Sequence, residues 1–382
     1  MAILQTFGTA QKRSSIPRTL TSPIFWYWTC MLIAAGLFVN SLLTAGPIWD
    51  EPDEFSKLTE QLAFARDVLL GSGDRTFRSI PGDRAFYGIG TVLPAYALSY
   101  LIDIVWLKGI AHTFERSCSL LLHLITFLCA IAGVHYTRCL VGLATRERET
   151  PFLAGTALLV TPFWIGYGFF DYKDIPVATG VVAATCYAAA YMQDRRDRPA
   201  CAIAVRNSTL YDGIRHTLFL VPLTVAMVFV TLPETFWVQR RAWLAGYLLF
   251  LLVDMITLQP YQYVWFNEVA RFFANEKNYE TDFWGNSMRE AAAHARGLQG
   301  PTDWVISPNY PSNPRHLASI FITERFSTDA APVPSCATYL LVSSTRMNTQ
   351  PPKECDSADY VARRQLLAPG PLHLAFVARC RK

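Results

Sequence analysis

The sequence predicts a mainly α-helical, polytopic membrane protein with a small α/β domain at its C-terminal end. The chain is 52% hydrophobic and only 17% charged over 382 residues, whereas soluble domains carry about 25% charged residues. It contains several apolar runs of membrane-spanning length, and its last third is polar. The formal net charge of +4 is too small to indicate a nucleic-acid-binding protein.

Six apolar segments are long enough to cross a bilayer, for which a helix needs about 20 residues. They are Ile24 to Ala45, Ser117 to Val141, Pro151 to Phe170, Ile175 to Gln193, His216 to Leu232 and Ala242 to Leu258. A further segment, Tyr87 to Leu107, is apolar but contains Pro94 and Asp103. A carboxylate near the bilayer centre costs about 2.5–3.5 kcal/mol on insertion scales. We therefore expect this segment to lie along the interface or to re-enter without crossing.

The chain divides into a transmembrane region, residues 1–258, and a polar C-terminal domain, residues 259–382. Within the second part, Asp303 to Ser307 and Thr338 to Ser344 have the short apolar pattern of buried strands. Asn286 to Leu298 predicts a helix that a following Gly-Pro pair terminates. These elements together predict a small α/β domain.

The distribution of basic residues predicts the orientation in the membrane. Cytoplasmic loops carry an excess of Lys and Arg, and the N-terminal segment and the loops 144–150 and 193–198 are basic. If the segment Tyr87 to Leu107 does not cross, this assignment puts residues 46–116, which begin with an acidic cluster, and residues 170–174 outside the cytoplasm. If it does cross, the two acidic clusters lie on opposite faces of the membrane. We also expect the C-terminal domain to be extracytoplasmic. Six spans from a cytoplasmic N-terminus would return the chain to the cytoplasm, so this position requires an odd number of further crossings, for which the linker from Arg198 to Asn207 is too short.

The cysteines fall into an apolar group and a polar group. Five of the nine lie in apolar runs, where cysteine acts as a small hydrophobe: Cys30, Cys118, Cys129, Cys139 and Cys186. Cys336 and Cys355 lie in the polar domain and could form a disulfide if that domain is outside the cytoplasm. No Cys or His spacing predicts a zinc site.

The first candidate for chemistry is the loop PIWDEPDEF, directly after the first apolar segment. It contains Asp50, Glu51, Asp53 and Glu54, which repel one another and repel anionic headgroups. One interpretation is a general base with a second acid that positions an acceptor or a metal. The alternative is a solvated loop that caps the next helix.

The second candidate is FDYKDIP, which joins two apolar segments almost without a linker. Pro176 suits the first turn of a helix, and Asp174 suits its N-cap. A capped helix start would therefore explain the motif. In the functional interpretation, Lys173 holds a phosphate with help from the helix N-terminus.

The third candidate is YDGIRH, which opens another apolar segment. Arg215 and His216 at a helix start oppose the preference of the helix dipole for negative charge. A bound anion would remove that conflict. The alternative is that both side chains extend to the membrane interface.

The fourth candidate, Gln259 to Ala270, follows the last apolar segment and has the sequence QPYQYVWFNEVA. Its Tyr and Trp residues are typical of an aromatic belt at the membrane interface. Asn267 and Glu268 could still face a site.

In this order, the motifs resemble those of the GT-C-fold glycosyltransferases that use polyprenyl-phosphate sugars, the dolichyl-phosphate-mannose protein mannosyltransferases. The match is best to bacterial family 39-like members, and it covers the chain to about residue 293. Each motif alone is weak, and the ordered set is more specific. The segments are Trp49 to Pro52, Tyr87-Gly88, Tyr172 to Pro176, Tyr211 to His216, Pro260 to Asn267 and Glu280 to Ala292.

The resemblance implies that Asp50 or Glu51 deprotonates an acceptor hydroxyl, which attacks the anomeric carbon of a lipid-phosphate sugar with inversion. It implies a donor phosphate bound by Lys173, Arg215 and His216, where negative charge develops. It also allows a divalent metal shared by Asp50 and Asp174. The residues that would line the site are Asp174, Asp212, Tyr87, Tyr261, Asn267 and Glu268.

The implied partners are a polyprenyl-phosphate-linked sugar, an acceptor on a protein, glycan or lipid, and the lipids of a bacterial inner membrane. One departure from the family opens an alternative. Family members carry several more membrane helices where this chain runs almost directly from Arg198 to Asn207. The alternative is a shortened, inactive relative that acts as a membrane scaffold or binds a partner. A transporter is a third class, but the sequence has no inverted repeat and its charges lie at the ends of the apolar segments.

Overall fold

A computed structural model of the chain describes most of both regions. The described residues are 22–45, 57–63, 66–67, 70, 92–102, 111–194, 218–275, 277–279, 281–282, 284–307, 326–327, 338–345 and 350–381. Their helices are α1 (Pro23–Thr44), α2 (Val92–Ile102), α3 (Ala111–Ala144), α4 (Thr150–Leu159), α5 (Pro162–Phe170), α6 (Asp174–Asp194), α7 (Leu220–Thr231), α8 (Glu234–Gln239), α9 (Arg241–Thr257) and α10 (Met288–Leu298). Two 3-10 helices, Gln262–Val264 and Ala270–Phe272, lie between α9 and α10.

Three helical segments in this part of the chain are long and apolar enough to cross a membrane. They are Pro23–Thr44, Ser117–Ala144 and Asp174–Gln193, and each matches a span predicted from the sequence. These helices indicate a membrane-associated protein.

The span predicted from Pro151 to Phe170 is broken in the structure. This stretch forms two helices, α4 and α5, bent by 61° at a short break. Thr161 adopts an extended backbone with a ψ of 109° before Pro162. Proline disfavours a helical conformation in the residue before it and has no N–H to continue the hydrogen-bond ladder. The pair can serve as one broken span or as a re-entrant loop.

The remaining predicted spans are shorter in the structure. Helix α7 has 12 residues and α9 has 17 residues, both below the length of about 20 residues that a span needs. Helix α2, within the Tyr87 to Leu107 segment, has 11 residues, which gives a length of about 16 Å at 1.5 Å per residue. Asp103 lies outside the described residues, and the interfacial placement of this segment stays a prediction.

Helix α3 is the centre of the helical region and packs against α2, α4, α5, α6 and α7. Gly133 permits its close approach to α5, because a Cβ there would lie 2.7 Å from the Trp164 ring. The indole of Trp164 donates to the backbone oxygen of Ala130 at 3.3 Å. The hydroxyl of Thr179 on α6 donates to the backbone oxygen of Cys129 at 2.7 Å. Both bonds fix neighbouring helices to α3.

The C-terminal domain contains a mixed sheet with the strand order β2-β1-β3-β5-β4. The strands are β1 (Trp304–Ile306), β2 (Phe326–Ser327), β3 (Thr338–Ser344), β4 (Cys355–Arg363) and β5 (Leu372–Arg381). Strand β1 pairs in parallel with β2 and β3, whereas β5 pairs antiparallel with β3 and β4. Helix α10 packs against β3, β4 and β5. The predicted helix and both predicted strands are confirmed.

The disulfide that the sequence left open between Cys336 and Cys355 does not form. Cys355 forms a disulfide with Cys380, which stands opposite it in the antiparallel register of β4 and β5. Their Cα atoms are 4.0 Å apart, so that the sheet itself brings the two sulfurs together. Cys336 lies outside the described residues.

Candidate functional site

The FDYKD motif forms a tight turn between α5 and α6, and Asp171 holds this turn. The buried carboxylate Oδ1 of Asp171 accepts the backbone N–H groups of Lys173 at 3.3 Å and of Asp174 at 3.0 Å. The prediction that Asp174 is the N-cap is therefore wrong. Asp174 is the first residue of α6, and Asp171 occupies the N–H groups at the helix start.

Lys173 lies beside the ring of Tyr172 in this turn. The Lys173 ammonium lies 5.6 Å from the centroid of the Tyr172 ring, within the range of a cation–π contact. Tyr172 is buried, and Lys173 is half-buried. Because Asp171 occupies the backbone N–H groups, an anion at this turn would depend on the Lys173 side chain more than on the helix N-terminus.

Helix α5, which leads into the turn, contacts the C-terminal segment through aromatic rings. The Tyr167 ring is 4.9 Å from the Trp284 ring, and the Phe170 ring is 6.0 Å from the Tyr263 ring. A Cβ at Gly166 would lie only 2.3 Å from the backbone nitrogen of Tyr263. Glycine is thus required here for the close approach of α5 to the 3-10 helix Gln262–Val264.

Asp282 anchors this segment from the other side. Its fully buried carboxylate accepts the Tyr263 hydroxyl and the Ser287 hydroxyl, each at 2.5 Å. Burial raises the pKa of Asp282 to about 6, against hydrogen bonds from both hydroxyls and from the backbone of Gly285 and Ser287, which lower it. The same burial raises the pKa of Tyr263.

The same C-terminal segment also binds the end of α1, from which the acidic loop begins. The Arg289 guanidinium donates to the backbone oxygen of Ala45, the residue after α1, at 2.9 Å. The amide of Gln259 donates to the Leu37 backbone oxygen at 2.7 Å and to the Ser41 hydroxyl at 2.8 Å. Two side chains of the 259–290 segment therefore fix the last turns of α1.

Tyr261 lies in a charged network at the junction of the two regions. Its hydroxyl donates to Glu290 at 3.0 Å, and the Arg363 guanidinium binds the same carboxylate at 2.7 Å. Arg363 also stacks 4.9 Å from the centroid of the Tyr261 ring and donates to the Gln259 backbone oxygen at 2.8 Å. Burial raises the pKa of Tyr261 well above its ordinary value.

Asn267 and Glu268 take part in local contacts near the end of α9. The Asn267 side-chain oxygen accepts the N–H groups of Val269 at 3.1 Å and Ala270 at 2.8 Å, which starts the second 3-10 helix. Glu268 accepts the Tyr247 hydroxyl at 3.0 Å. The contacts of Asn267 stabilise the segment itself, and the contact of Glu268 ties the segment to α9.

The remaining predicted site residues lie outside the described part of the chain. They are Asp50, Glu51, Tyr87, Asp212, Arg215 and His216. Of the predicted set, the structure thus locates Lys173, Asp174, Tyr261, Asn267 and Glu268. The sharing of a metal by Asp50 and Asp174 stays a prediction, because Asp50 lies outside the described residues. Among the described residues, no group of three or more His, Cys, Asp or Glu could hold a metal ion.

Sequence reasoning missed several buried polar side chains around this region. His123 on α3 is buried and lies edge-on to the Phe170 ring at 5.3 Å. Lys57, immediately after the acidic loop, is also buried. The signal for His123 was a lone histidine inside an apolar run, and that for Asp282 was an aspartate beside aromatic residues. Both patterns are too common to indicate a site without tertiary contacts.

Comparison with protein-family models, with curated proteins and with solved structures finds no match to this chain.

Proposed function

We propose that the chain is a membrane glycosyltransferase of the GT-C type. It transfers a sugar from a polyprenyl-phosphate donor to an acceptor hydroxyl at the extracytoplasmic surface, with inversion. The observation that carries this proposal is that two of the predicted motifs, far apart in the chain, are both held by the 259–290 segment. Arg289 binds Ala45, from which the acidic loop begins, and helix α5 packs aromatic rings against the same 259–290 segment. Helix α5 leads into the turn Asp171 to Asp174, which we call the DYKD turn.

In the proposed reaction, Asp50 or Glu51 accepts the proton of the acceptor hydroxyl as its oxygen attacks the anomeric carbon. The bond from that carbon to the donor phosphate oxygen breaks, and the lipid phosphate leaves with an additional negative charge. Lys173, Arg215 and His216 stabilise this charge, which grows toward the transition state. The reaction needs no oxidant or reductant.

The rigidity of the DYKD turn supports the role of Lys173. The Asp171 carboxylate accepts the backbone N–H groups of Lys173 and of the following Asp174, and the Tyr172 ring lies beside the lysine ammonium. A charge held in one position needs no reorganisation during the reaction, and such preorganisation is usually the largest contribution to catalysis.

A divalent metal is compatible with the proposal but not required by it. Asp174 offers a carboxylate of the kind that hard cations prefer. Its partner in this role would be Asp50, and a metal there would supply electrostatic stabilisation of the phosphate. Neither proton transfer nor departure of the lipid phosphate depends on it.

The second candidate function is a shortened, inactive relative that serves as a membrane scaffold. The short connection between Arg198 and Asn207 favours this alternative, because family members place several further helices there. The contacts of Arg289, Gln259 and Arg363 would then serve only to join the C-terminal domain to the helices. Activity of the isolated protein distinguishes the two functions.

The test is transfer from polyprenyl-phosphate sugars in proteoliposomes, with wild type, Asp50→Asn and Lys173→Ala compared. We expect Asp50→Asn to lower the rate by about 10²–10⁴-fold, the usual contribution of a general base. Lys173→Ala should slow turnover and raise the donor concentration required. Asp356→Asn and Lys277→Ala change exposed residues of the same types and serve as matched controls.

Two outcomes would redirect the proposal. Full activity of Asp50→Asn would remove this residue from the mechanism and shift the role of base to Glu51, for which Glu51→Gln is the test. A folded wild-type protein without activity toward several donors would support the scaffold.

A further inference from the structure

A buried ion pair joins the segment after α9 to the end of that helix. Arg271 Nη2 lies 2.9 Å from Asp254 Oδ2, and the exposed fractions of the two side chains are 1% and 0%. The guanidinium also stacks 4.7 Å from the centroid of the Phe250 ring. A buried charge is retained only when it is paired and hydrogen-bonded, so this arrangement fixes the 3-10 helix Ala270–Phe272 in one position.

The connection between β4 and β5 is attached to the same ion pair. Arg271 Nη1 donates to the Leu366 backbone oxygen at 2.7 Å, and the Leu366 N–H donates to Asp254 Oδ1 at 2.7 Å. The Gln365 side-chain oxygen accepts the Phe266 N–H at 3.1 Å. Two stretches about one hundred residues apart are therefore held side by side at the end of α9.

The outer side of this assembly is apolar and exposed. Its residues are Val269, Phe272, Phe273, Leu366 and Leu367, with exposed fractions of 72%, 54%, 65%, 37% and 69%. We call these five residues the apolar cap. Leu367 has a φ of 61°, a left-handed conformation that is costly for a residue with a Cβ. An exposed leucine therefore occupies a backbone conformation in which glycine would be less strained.

The apolar cap is attached to a helix that also exposes apolar side chains. On α9, Trp243, Leu249 and Ile256 are exposed, and Ile256 lies in the last turn, two residues after the Asp254 that anchors the cap. Such side chains are stable in contact with lipid tails and unfavourable in water. Exposed apolar surface of this kind marks an interaction site, and the cap is anchored at the end of α9 through Asp254.

We propose that the end of α9 lies at the membrane interface and that the apolar cap inserts into the phospholipid leaflet there. Residues that lie in the membrane interface bury their apolar side by about 5–10 Å at the boundary of headgroups and acyl chains. The buried pair of Arg271 and Asp254 holds the cap in place. The cap fixes the C-terminal domain against the membrane surface, whatever reaction the protein performs.

The test is photo-cross-linking of the full-length protein in proteoliposomes that contain an alkyne-tagged phosphatidylethanolamine. p-Benzoyl-phenylalanine is introduced at Phe273, at Leu367 or, as a control, at the exposed Asp356 on β4. We expect lipid adducts at the first two positions at least fivefold above the control. In Phe272→Ser/Phe273→Ser, which keeps the Arg271–Asp254 pair, the lipid adduct at position 367 should fall severalfold.

Other patterns of cross-linking would overturn the proposal. Lipid labelling at Phe273 and Leu367 no higher than at Asp356 would place the cap in water. Adducts to a second copy of the chain, without lipid adducts, would make it a protein interface. The monodispersity of each variant in detergent is checked first, so that misfolded protein is excluded from the comparison.

Discussion

The Arg289 guanidinium on α10 donates a hydrogen bond of 2.9 Å to the backbone oxygen of Ala45, 244 residues earlier in the chain. Ala45 is the last described residue before the acidic loop. The oxygen it presents belongs to the C-terminal end of α1, where a cation interacts favourably with the helix dipole. The C-terminal domain therefore holds the point from which the acidic loop begins.

We expect Arg289→Ala to loosen the end of α1, from which the acidic loop begins. If Asp50 or Glu51 is the catalytic base, a displacement of about 1 Å can cost about 10²-fold in rate. The measurement is sugar transfer in proteoliposomes, together with the rate of limited proteolysis within residues 46–56, which should rise. Arg296→Ala, which changes an exposed arginine of the same helix, is the control. Unchanged proteolysis in Arg289→Ala would contradict the role of this bond.

We expect the stability of the C-terminal domain to depend on pH through Asp282. Its pKa is raised to about 6 in the folded chain, above about 3.9 in an unfolded chain. Between these values the folded chain binds a proton that the unfolded chain lacks, so the free energy of unfolding falls as pH rises from about 4 to 6. At about 1.4 kcal/mol per pKa unit, the loss amounts to about 3 kcal/mol.

Asp282→Asn removes this titration and should flatten the dependence. The measurement is the midpoint of thermal unfolding in detergent across pH 4 to 7, with Asp356→Asn as the control. Parallel curves for wild type and Asp282→Asn would show that another group is responsible.

We expect Gly166→Ala to destabilise the contact between α5 and the C-terminal segment. The added Cβ would lie 2.3 Å from the Tyr263 nitrogen, and overpacking of this kind costs about 1–3 kcal/mol. Gly180→Ala on α6 is the matched control, because its Cβ would meet nothing within 4 Å and alanine favours a helix over glycine by about 1 kcal/mol. The difference in midpoint of thermal unfolding between the two variants measures the clash. Equal midpoints would contradict the close approach.

We expect Cys380→Ser to lower the stability of the β-sheet, whereas Cys336→Ser should not. A native disulfide contributes about 2–4 kcal/mol, and Cys355 is bonded to Cys380. Peptide mapping of the non-reduced protein by mass spectrometry should recover this link. Recovery of a Cys336–Cys355 peptide in its place would contradict the pairing of Cys355 with Cys380.

Local patterns accounted for a large part of the fold. The apolar segments beginning near residues 24, 117 and 175 are helices of spanning length, because the length of an apolar run decides whether a helix can cross a bilayer. Strands β1 and β3 also follow from short apolar runs. The break at Thr161 was missed, although Pro162 was visible, because proline is tolerated at a helix start as well as at a bend.

The candidate site was less accessible to sequence reasoning, since its contacts join residues far apart in the chain. The DYKD turn was recognised as a helix start, but Asp171 and Asp174 are both plausible caps by residue type. Only the path of the backbone decided that Asp171 accepts the N–H groups. The buried pair of Arg271 and Asp254 was not predicted at all, because neither residue shows in the sequence which charge it will meet.

The sequence by itself determined the apolar helices, the polar C-terminal domain and its main strands, because these depend on composition and on contacts between near neighbours. The tertiary structure decided which cysteine pairs with Cys355, which carboxylate caps α6 and which side chain holds the end of α1. Each of these depends on a register or a packing contact between distant residues. Such contacts are set by how whole elements dock, and docking is not encoded in any short stretch of sequence.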